Sequence, residues 1–191
     1  MAAHPQPSTF EQGQPHRCKM IYAFDLYYRE EETVTACVGF ENWSSTAPAL
    51  QLTEKSKVES DYISGQFYKR ELPGILQLLQ KIDLQPGDLI IVDGYVYLDD
   101  EKSNGLGGHL YEALDKQFPI IGVAKKKYHS LEKEYREVYR GQSQKPLFIT
   151  AAGFDLEEAQ CCVEGMAGTY RIPDLLKIVD QLSKGMISPE G

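Results

Sequence analysis

Hydrophobic positions divide the chain into a strand-rich first part and a second part in which strands and helices alternate. Residues 20–28 and 33–40 are rich in β-branched and aromatic side chains. The polar turn Arg29-Glu30-Glu31-Glu32 separates them, and this pattern predicts a β-hairpin. A third strand is predicted at 49–53. The first part of the chain is therefore expected to form a β-meander.

Short, wholly apolar runs at 89–92 and 120–124 predict two strands covered on both faces. A helix is predicted between them at 106–116, so the unit predicts a βαβ crossover and a parallel strand pair. Pro73 fits the first turn of an earlier helix, in which Leu and Ile recur at helical spacing up to residue 82. The remaining predicted elements are strands at 135–139 and 147–150 and helices at 156–166 and 173–182. This order resembles a ribonuclease H-like α/β fold, a mixed β-sheet flanked by helices.

The 191 residues are enough for one substantial hydrophobic core, and 42% of them are hydrophobic. We expect a flexible polar leader at 1–18 and a single domain at 19–191. No apolar run approaches the roughly 18 residues that span a bilayer, and no secretory signal pattern is present, so a cytoplasmic protein without membrane contact is expected. The four cysteines lack metal-finger and C-x-x-C spacing, which favours reduced thiols.

The net charge of −8 argues against nonspecific coating of nucleic acid, which depends on many Lys and Arg contacts to phosphates. Residues 119–149 nevertheless carry seven basic and three acidic side chains. That asymmetry suits a phosphate-holding rim beside an acidic centre. A solvated charged surface is the alternative interpretation.

Two acids lie at or near the end of apolar strands. Asp25 interrupts an aromatic strand, where an unpaired carboxylate would cost several kcal/mol to desolvate, so it needs hydrogen bonds or a metal ion. Asp93 ends the apolar run 89–92, at the strand terminus where ligands collect in α/β sheets, although Asp-Gly is also a common turn. If the first strand lies beside this one, two carboxylates meet at one edge, which is enough for a magnesium site.

Three further positions extend this hypothesis. Glu71 precedes Pro73 and is expected near a helix N-terminus, which favours an acid with or without a metal. Lys125 follows the strand at 120–124, where it could hold a phosphate or be an ordinary surface lysine. Tyr62 could offer a face to a base or simply pack under a loop. The segment 104–109 matches neither nucleotide-binding fingerprint, so no nucleotide cofactor is expected.

Taken in order, short segments of the chain resemble the endonuclease V family. They are Phe24-Asp25-Leu26, Tyr62-Ile63-Ser64-Gly65 running to Lys69-Arg70-Glu71, Ile91-Val92-Asp93-Gly94, Gly105-Leu106 with His109-Leu110, Ile121-Gly122-Val123-Ala124-Lys125, Pro146-Leu147-Phe148-Ile149 and Tyr170-Arg171-Ile172-Pro173. The resemblance covers about residues 19–183. A complete ordered set is far more specific than any one of these motifs.

The resemblance implies a magnesium-dependent endonuclease, with manganese as a substitute, that cuts DNA or RNA on the 3′ side of deoxyinosine or inosine. It implies roles in DNA repair or RNA processing, with nucleic acid as the partner. In this interpretation Asp25, Glu71 and Asp93 bind the metal and Lys125 completes the catalytic set. The substrate-binding residues implied by the matching motifs are Tyr62, Ile63, Gly65, Gly94, Gly105 and His109.

The chain also departs from the family pattern. Ala151-Ala152-Gly153 stands where a Gly-His-Arg motif is expected, and Asp61-Tyr62-Ile63-Ser64 lacks the usual prolines of the base-separating wedge. Loss of a proton-transferring histidine typically costs ~10²- to 10⁴-fold in rate. Two alternatives therefore accompany the nuclease hypothesis: a degenerate relative that binds nucleic acid or a nucleotide without cutting it, and an interaction protein on the same scaffold.

Overall fold

A computed structural model describes residues 19–57 and 66–190, in which seven strands form one sheet and four helices cover it. The strands are β1 (Ile21–Tyr28), β2 (Glu32–Phe40), β3 (Leu50–Lys57), β4 (Leu89–Asp93), β5 (Ile120–Ala124), β6 (Arg136–Val138) and β7 (Leu147–Ala152). The helices are α1 (Tyr68–Leu79), α2 (Leu106–Ala113), α3 (Leu156–Glu164) and α4 (Asp174–Ser183). The leader predicted at 1–18 and the predicted substrate residues Tyr62, Ile63 and Gly65 lie outside the described residues. The single domain at 19–191 stays a prediction.

The strand order across the sheet is β3-β2-β1-β4-β5-β7-β6. β1 and β2 form the predicted antiparallel hairpin, and β4 and β5 form the predicted parallel pair. β1 also pairs with β4 in parallel, so the carboxyl ends of three neighbouring strands lie at one edge of the sheet. The predicted α/β mixed sheet flanked by helices is therefore confirmed.

Side-chain alternation along these strands separates two hydrophobic layers. Ile21 and Ala23 of β1 pack in the layer that includes α3 and α4, whereas Tyr22 and Phe24 pack in the layer that includes α1 and α2. The same alternation holds in β4 and β5, whose odd-numbered apolar residues face α4. Continuing this period of two directs Asp25, Asp93 and Lys125 to the α4 face.

The largest differences from the predicted helix boundaries are at the start of α1 and the end of α2. α1 begins at Tyr68 rather than at Pro73, because good helix formers precede the proline; the exposed Pro73 is tolerated inside the helix at the loss of one backbone hydrogen bond. Glu71 does lie in the first turn, as predicted. α2 ends at Ala113 instead of 116, since Asp115 and Lys116 adopt left-handed φ values of 52° and 59°.

A buried arginine fixes the segment that connects α3 to α4. Arg140 is 6% exposed, and its guanidinium donates hydrogen bonds to five backbone carbonyl groups. These belong to Glu164, Met166, Ala167, Gly168 and Tyr170. A guanidinium has five N–H donors in a fixed plane, so one side chain replaces the secondary structure that this segment lacks.

We expect Arg140→Met to lower the free energy of unfolding by about 3 kcal/mol, because several buried carbonyls lose a charged donor at once. Chemical denaturation measures the effect. Arg136→Met is the control. Arg136 lies on β6 with a side chain 35% exposed, and its replacement should lower the free energy of unfolding by less than half as much. Equal losses in both variants would contradict the role assigned to Arg140.

None of the helices in the described ranges is long and apolar enough to cross a bilayer.

Candidate functional site

Polar side chains from three neighbouring strands meet where those strands end. Phe24 pairs with Val92 between β1 and β4, so Asp25 and Asp93 come together in the next row, where Asp93 is close enough to raise the pKa of the Asp25 carboxyl group. Lys125 follows β5, and its Nζ lies 2.9 Å from Oδ2 of Asp93. The structure therefore brings together three of the four residues predicted to carry chemistry.

Asp25 is enclosed, and its ionisation is unfavourable. The side chain is 6% exposed, and its pKa is raised from 3.8 to about 7, with burial as the largest cause. A hydrogen bond donated by the Ser183 hydroxyl lowers the pKa, whereas the nearby carboxylates of Asp93 and Asp180 contribute to raising it. Asp25 thus has one neutral hydrogen-bond donor and two acidic neighbours, so a bound cation would stabilise its ionised form.

Helix α4 supplies two residues that the sequence analysis missed, Asp180 and Ser183. Asp180 Oδ1 lies 3.9 Å from Lys125 Nζ, and its Oδ2 accepts a hydrogen bond from Lys184 at 2.8 Å. Ser183 is completely buried against Asp25. A polar residue four positions after the buried Val179 was the available signal, because that spacing puts Ser183 on the buried face of the helix.

Lys125 remains a cation in this setting. Burial lowers the pKa of its ammonium group, but the carboxylate of Asp93 and the more distant Asp25 and Asp180 outweigh burial, so the pKa is raised overall. The side chain is 43% exposed at the mouth of the site. A charged, partly exposed ammonium group beside two acids is suited to hold an anionic substrate group near them.

Glu71 lies on the other side of Asp93 from this group. Burial raises the pKa of Glu71 from 4.5 to about 7; the Tyr28 hydroxyl and Arg70 partly offset this, and Asp93 adds to it. Within the described ranges, no three or more His, Cys, Asp or Glu side chains converge as a complete metal-ligand set. Asp25 and Asp93 are the adjacent pair, and Glu71 approaches from the neighbouring cleft.

The donor atoms present fit a hard divalent cation. Two neighbouring carboxyl groups, of which Asp25 has its pKa raised by burial, offer more acceptor oxygen atoms than Ser183 and Lys125 satisfy. Mg²⁺ prefers oxygen ligands and commonly uses one or two protein carboxylates, with water and substrate oxygens completing its shell. The cleft lined by these residues, here called the acid cleft, leaves about 30 Å³ of free space, room for a water-sized species.

A second cleft of about 290 Å³ opens beside Asp93 between the starts of α1 and α2; we call it the α1–α2 cleft. Its lining includes Glu71 and the predicted substrate residues Gly94 and Gly105. Gly94 has a φ of 139°, which side chains rarely adopt, and a Cβ on Gly105 would lie 2.5 Å from the Tyr95 carbonyl oxygen. Both positions need glycine; Gly94 is half-buried and Gly105 is buried.

His109 does not line this cleft. Its ring stacks on Tyr68 with ring centroids 3.6 Å apart, and Tyr68 does line the cleft. Burial lowers the pKa of the His109 imidazole, which favours a neutral, packed ring. The structure therefore places His109 behind the cleft wall, where it supports α1.

The structure also shows where the position expected for the family histidine lies. Ala152 is 3% exposed inside β7 and packs in the layer with α1 and α2. None of the described residues that line the acid cleft is a histidine. The side chains that face Asp25 from α4 are instead Ser183 and Asp180.

The sequence profile described as Endonuclease V matches residues 6–149, about three quarters of the chain. The chain belongs to the endonuclease V family. The Endonuclease V of Pyrococcus abyssi is 33% identical over 138 residues, which cover 71% of this chain and 64% of the relative. That of Pyrococcus horikoshii is 28% identical over 174 residues, which cover 88% of this chain and 75% of the relative. Membership in this family places the chain among nucleases.

Solved structures of endonuclease V share the fold. The Ciona intestinalis protein, in complex with a 24mer DNA containing an inosine followed by a ribo-adenosine, superimposes with a TM-score of 0.73 at 24% identity. The match covers 88% of this chain and 85% of that one. The catalytic domain of human Endonuclease V gives a TM-score of 0.73 at 19% identity, covering 93% and 87%. The ribonuclease H-like arrangement inferred from element order agrees with these structures.

Proposed function

We propose that the chain is a metal-dependent endonuclease that hydrolyses a phosphodiester bond in nucleic acid on the 3′ side of inosine or deoxyinosine. The observation that carries the proposal is the parallel pairing of β1 with β4, which places Asp25 beside Asp93, with Lys125 Nζ 2.9 Å from Asp93, in a member of the endonuclease V family. The inosine-containing DNA bound by the Ciona intestinalis protein supports the choice of substrate. Either DNA repair or RNA processing would use this reaction.

Asp25 and Asp93 would hold Mg²⁺ or Mn²⁺ directly, and Glu71 would reach it from the α1–α2 cleft through water. When bound, the ion supplies a Lewis acid for the phosphate and lowers the pKa of an attacking water. Lys125 orients the scissile phosphate by its charge and is ion-paired with Asp93. Ser183 orients the Asp25 carboxyl group by donating a hydrogen bond to its Oδ2 atom.

The α1–α2 cleft is proposed to accept the deaminated base. Gly94 and Gly105 allow backbone groups to approach a flat ring closely, and the cleft adjoins the acid centre through Asp93. Tyr62, Ile63 and Gly65 are proposed as the wedge that separates this base from its neighbours. His109 would act on substrate indirectly, by holding Tyr68.

The test is a cleavage panel of matched DNA and RNA strands that contain inosine or guanosine at one position, with Mg²⁺, Mn²⁺ or EDTA. We expect metal-dependent cleavage of inosine strands only. Lys125→Ala should lower the rate about 10²-fold, as loss of a preorganised charge on the reacting phosphate commonly does. Lys126→Ala, the exposed neighbour, is the matched control and should cleave near the wild-type rate.

A second candidate function is favoured by the acid cleft lacking an imidazole: a degenerate relative that binds nucleic acid without cutting it. The same panel separates the two. Tight binding of inosine strands with no cleavage in any metal would establish the binding protein, whereas equal rates in wild type and Lys125→Ala would contradict the proposed phosphate contact.

A further inference from the structure

A groove beside α4 continues from the acid cleft, on the side opposite the α1–α2 cleft. The two share Lys125 and Asp180, and the groove has a volume of about 550 Å³. The α1–α2 cleft, the acid cleft and this groove, here called the α4 groove, therefore form one continuous path across the sheet edge. A strand that crosses the acid cleft from the α1–α2 cleft would continue along this groove.

The α4 groove is basic in a chain with a net charge of −8. Arg171, Lys177 and Lys184 line it together with Lys125, and Asp180 is the acid among its lining residues. Lys177 lies on α4 before Asp180, and Lys184 directly follows the helix and is ion-paired with Asp180 at 2.8 Å. A surplus of cations along a groove in an acidic protein indicates an anionic ligand such as a phosphate chain.

An exposed aromatic ring stands in the wall of this groove. Tyr170 is 70% exposed, and the Lys177 ammonium lies 5.9 Å from its ring centroid. The backbone below the ring is held firmly, because Arg140 donates a hydrogen bond to the Tyr170 carbonyl at 3.0 Å. An aromatic left in water on a fixed backbone, with a cation beside it, is the arrangement on which single-stranded nucleic acids stack a base.

Arg171 links the floor of the groove to the catalytic lysine. Its Nη2 donates hydrogen bonds to the carbonyl oxygens of Lys125 and Pro146, at 2.6 and 2.8 Å. Its Nε is buried and has no hydrogen-bond partner in the part of the chain that the structure describes. Through its Nη2, Arg171 thereby ties the floor of the groove to the backbone of Lys125.

From these observations we propose that the α4 groove binds the single-stranded segment 3′ of the cut, with phosphates on Lys177 and Lys184 and a base stacked on Tyr170. The polarity rests on the proposed function: if the deaminated base lies in the α1–α2 cleft and cleavage is 3′ to it, the 3′ segment must lie on the α4 side. A base paired in a duplex is already stacked and cannot use Tyr170. The structure thus assigns a single-stranded 3′ flank as the preferred substrate.

Binding without cleavage tests this directly. Fluorescence anisotropy in EDTA compares three kinds of inosine-containing strand. The first has a long single-stranded arm on the 3′ side of the inosine, the second has a long arm on the 5′ side, and the third has its 3′ arm annealed to a complementary strand. Wild type should bind the single-stranded 3′ arm most tightly. In Tyr170→Ala this preference should fall about tenfold, the scale of one base–aromatic stack. In Lys177→Gln the slope of log Kd against log salt should fall by ~0.7, as expected when one phosphate contact to a single strand is lost.

Tyr139→Ala and Lys116→Gln are the matched controls. Tyr139 is 55% exposed, Lys116 has a side-chain exposure of 58% and is ion-paired like Lys184, and neither lines the groove. Both should keep the wild-type preference and salt slope. If the groove variants also keep them, or if the controls change equally, the inference is overturned.

The result of this binding experiment can be distinguished from the result of the cleavage test of the proposed function. If wild type cuts no inosine strand but Tyr170→Ala loses the preference for the 3′ arm, the role of the groove is supported and the cleavage proposal is refuted. If wild type cuts inosine strands while Tyr170→Ala binds 3′ and 5′ arms as wild type does, the cleavage proposal is supported and the role of the groove is refuted.

Discussion

Replacing Asp25 with asparagine is expected to remove cleavage and, at the same time, to stabilise the metal-free protein. The carboxylate is needed to hold the metal, whose transition-state stabilisation is worth several kcal/mol, so the rate should fall by ~10³-fold or more. The same carboxylate is 6% exposed with a pKa of about 7, so its charge is costly above that pH. An amide keeps the acceptor for Ser183 and offers Asp93 a neutral N–H donor.

The stabilisation should reach about 2 to 4 kcal/mol at pH 8, given that each unit of pKa shift corresponds to ~1.4 kcal/mol. For a domain of this size the melting temperature should rise by roughly 5 to 10 °C. Single-turnover cleavage in Mn²⁺ and thermal unfolding in EDTA measure the two effects. An Asp25→Asn variant that melts below wild type in EDTA at pH 8 would contradict this account of the site.

Asp88→Asn provides a control of opposite sign. Asp88 is 1% exposed, but its carboxylate accepts hydrogen bonds from the backbone N–H groups of Met20 and Gln85. An amide keeps one acceptor oxygen of the two, so stability should fall by about 1 to 2 kcal/mol. Cleavage should stay close to wild type, because Asp88 lies at the start of β4, away from the acid cleft.

The metal-free protein is expected to lose stability as pH rises from about 4 to about 7. Asp25 and Glu71 both have folded-state pKa values of about 7, above their ordinary values of 3.8 and 4.5. In this window the unfolded chain has released protons that the folded chain retains, so raising the pH favours unfolding. The contribution is complete below the ordinary values and is lost once both acids are ionised in the folded state.

Melting temperatures measured across this range, in EDTA and in Mg²⁺, test the prediction. Mg²⁺ should flatten or reverse the decline, because it binds the ionised carboxylates of the folded state and stabilises that state by mass action. An Asp25→Asn, Glu71→Gln double variant should show little of the decline in EDTA. A wild-type profile that rises between pH 5 and 7 in EDTA would refute the raised pKa values.

The strands of the site were predictable because their apolar patterns have one interpretation. The runs at 89–92 and 120–124 are too short for a buried helix and too apolar for a loop, and their parallel pairing follows from the helix between them. Asp93 and Lys125 could be placed at one sheet edge on that basis. The joining of β1 to β4 was a hypothesis until the structure showed the pairing.

The helical contributions were harder to predict. Proline is favoured in a first turn, so the sequence predicts Pro73 there, yet the residues before Pro73 already form the turn that carries Glu71. Asp180 and Ser183 stand in an ordinary amphipathic helix, and their importance depends on which strand residues that helix covers. Sequence periodicity gives the buried face of a helix, but it does not give the partner of that face.

The alternation that separates the two layers of the sheet makes the acid centre sensitive to chain length as well as to composition. Asp25, Asp93 and Lys125 each stand two positions beyond an apolar residue that faces α4. Inserting one residue just before any of them would turn that side chain toward α1 and α2, although no functional residue had been replaced. Single-residue insertions and deletions in β1, β4 and β5 are therefore expected to impair the acid centre as replacement of its acids would.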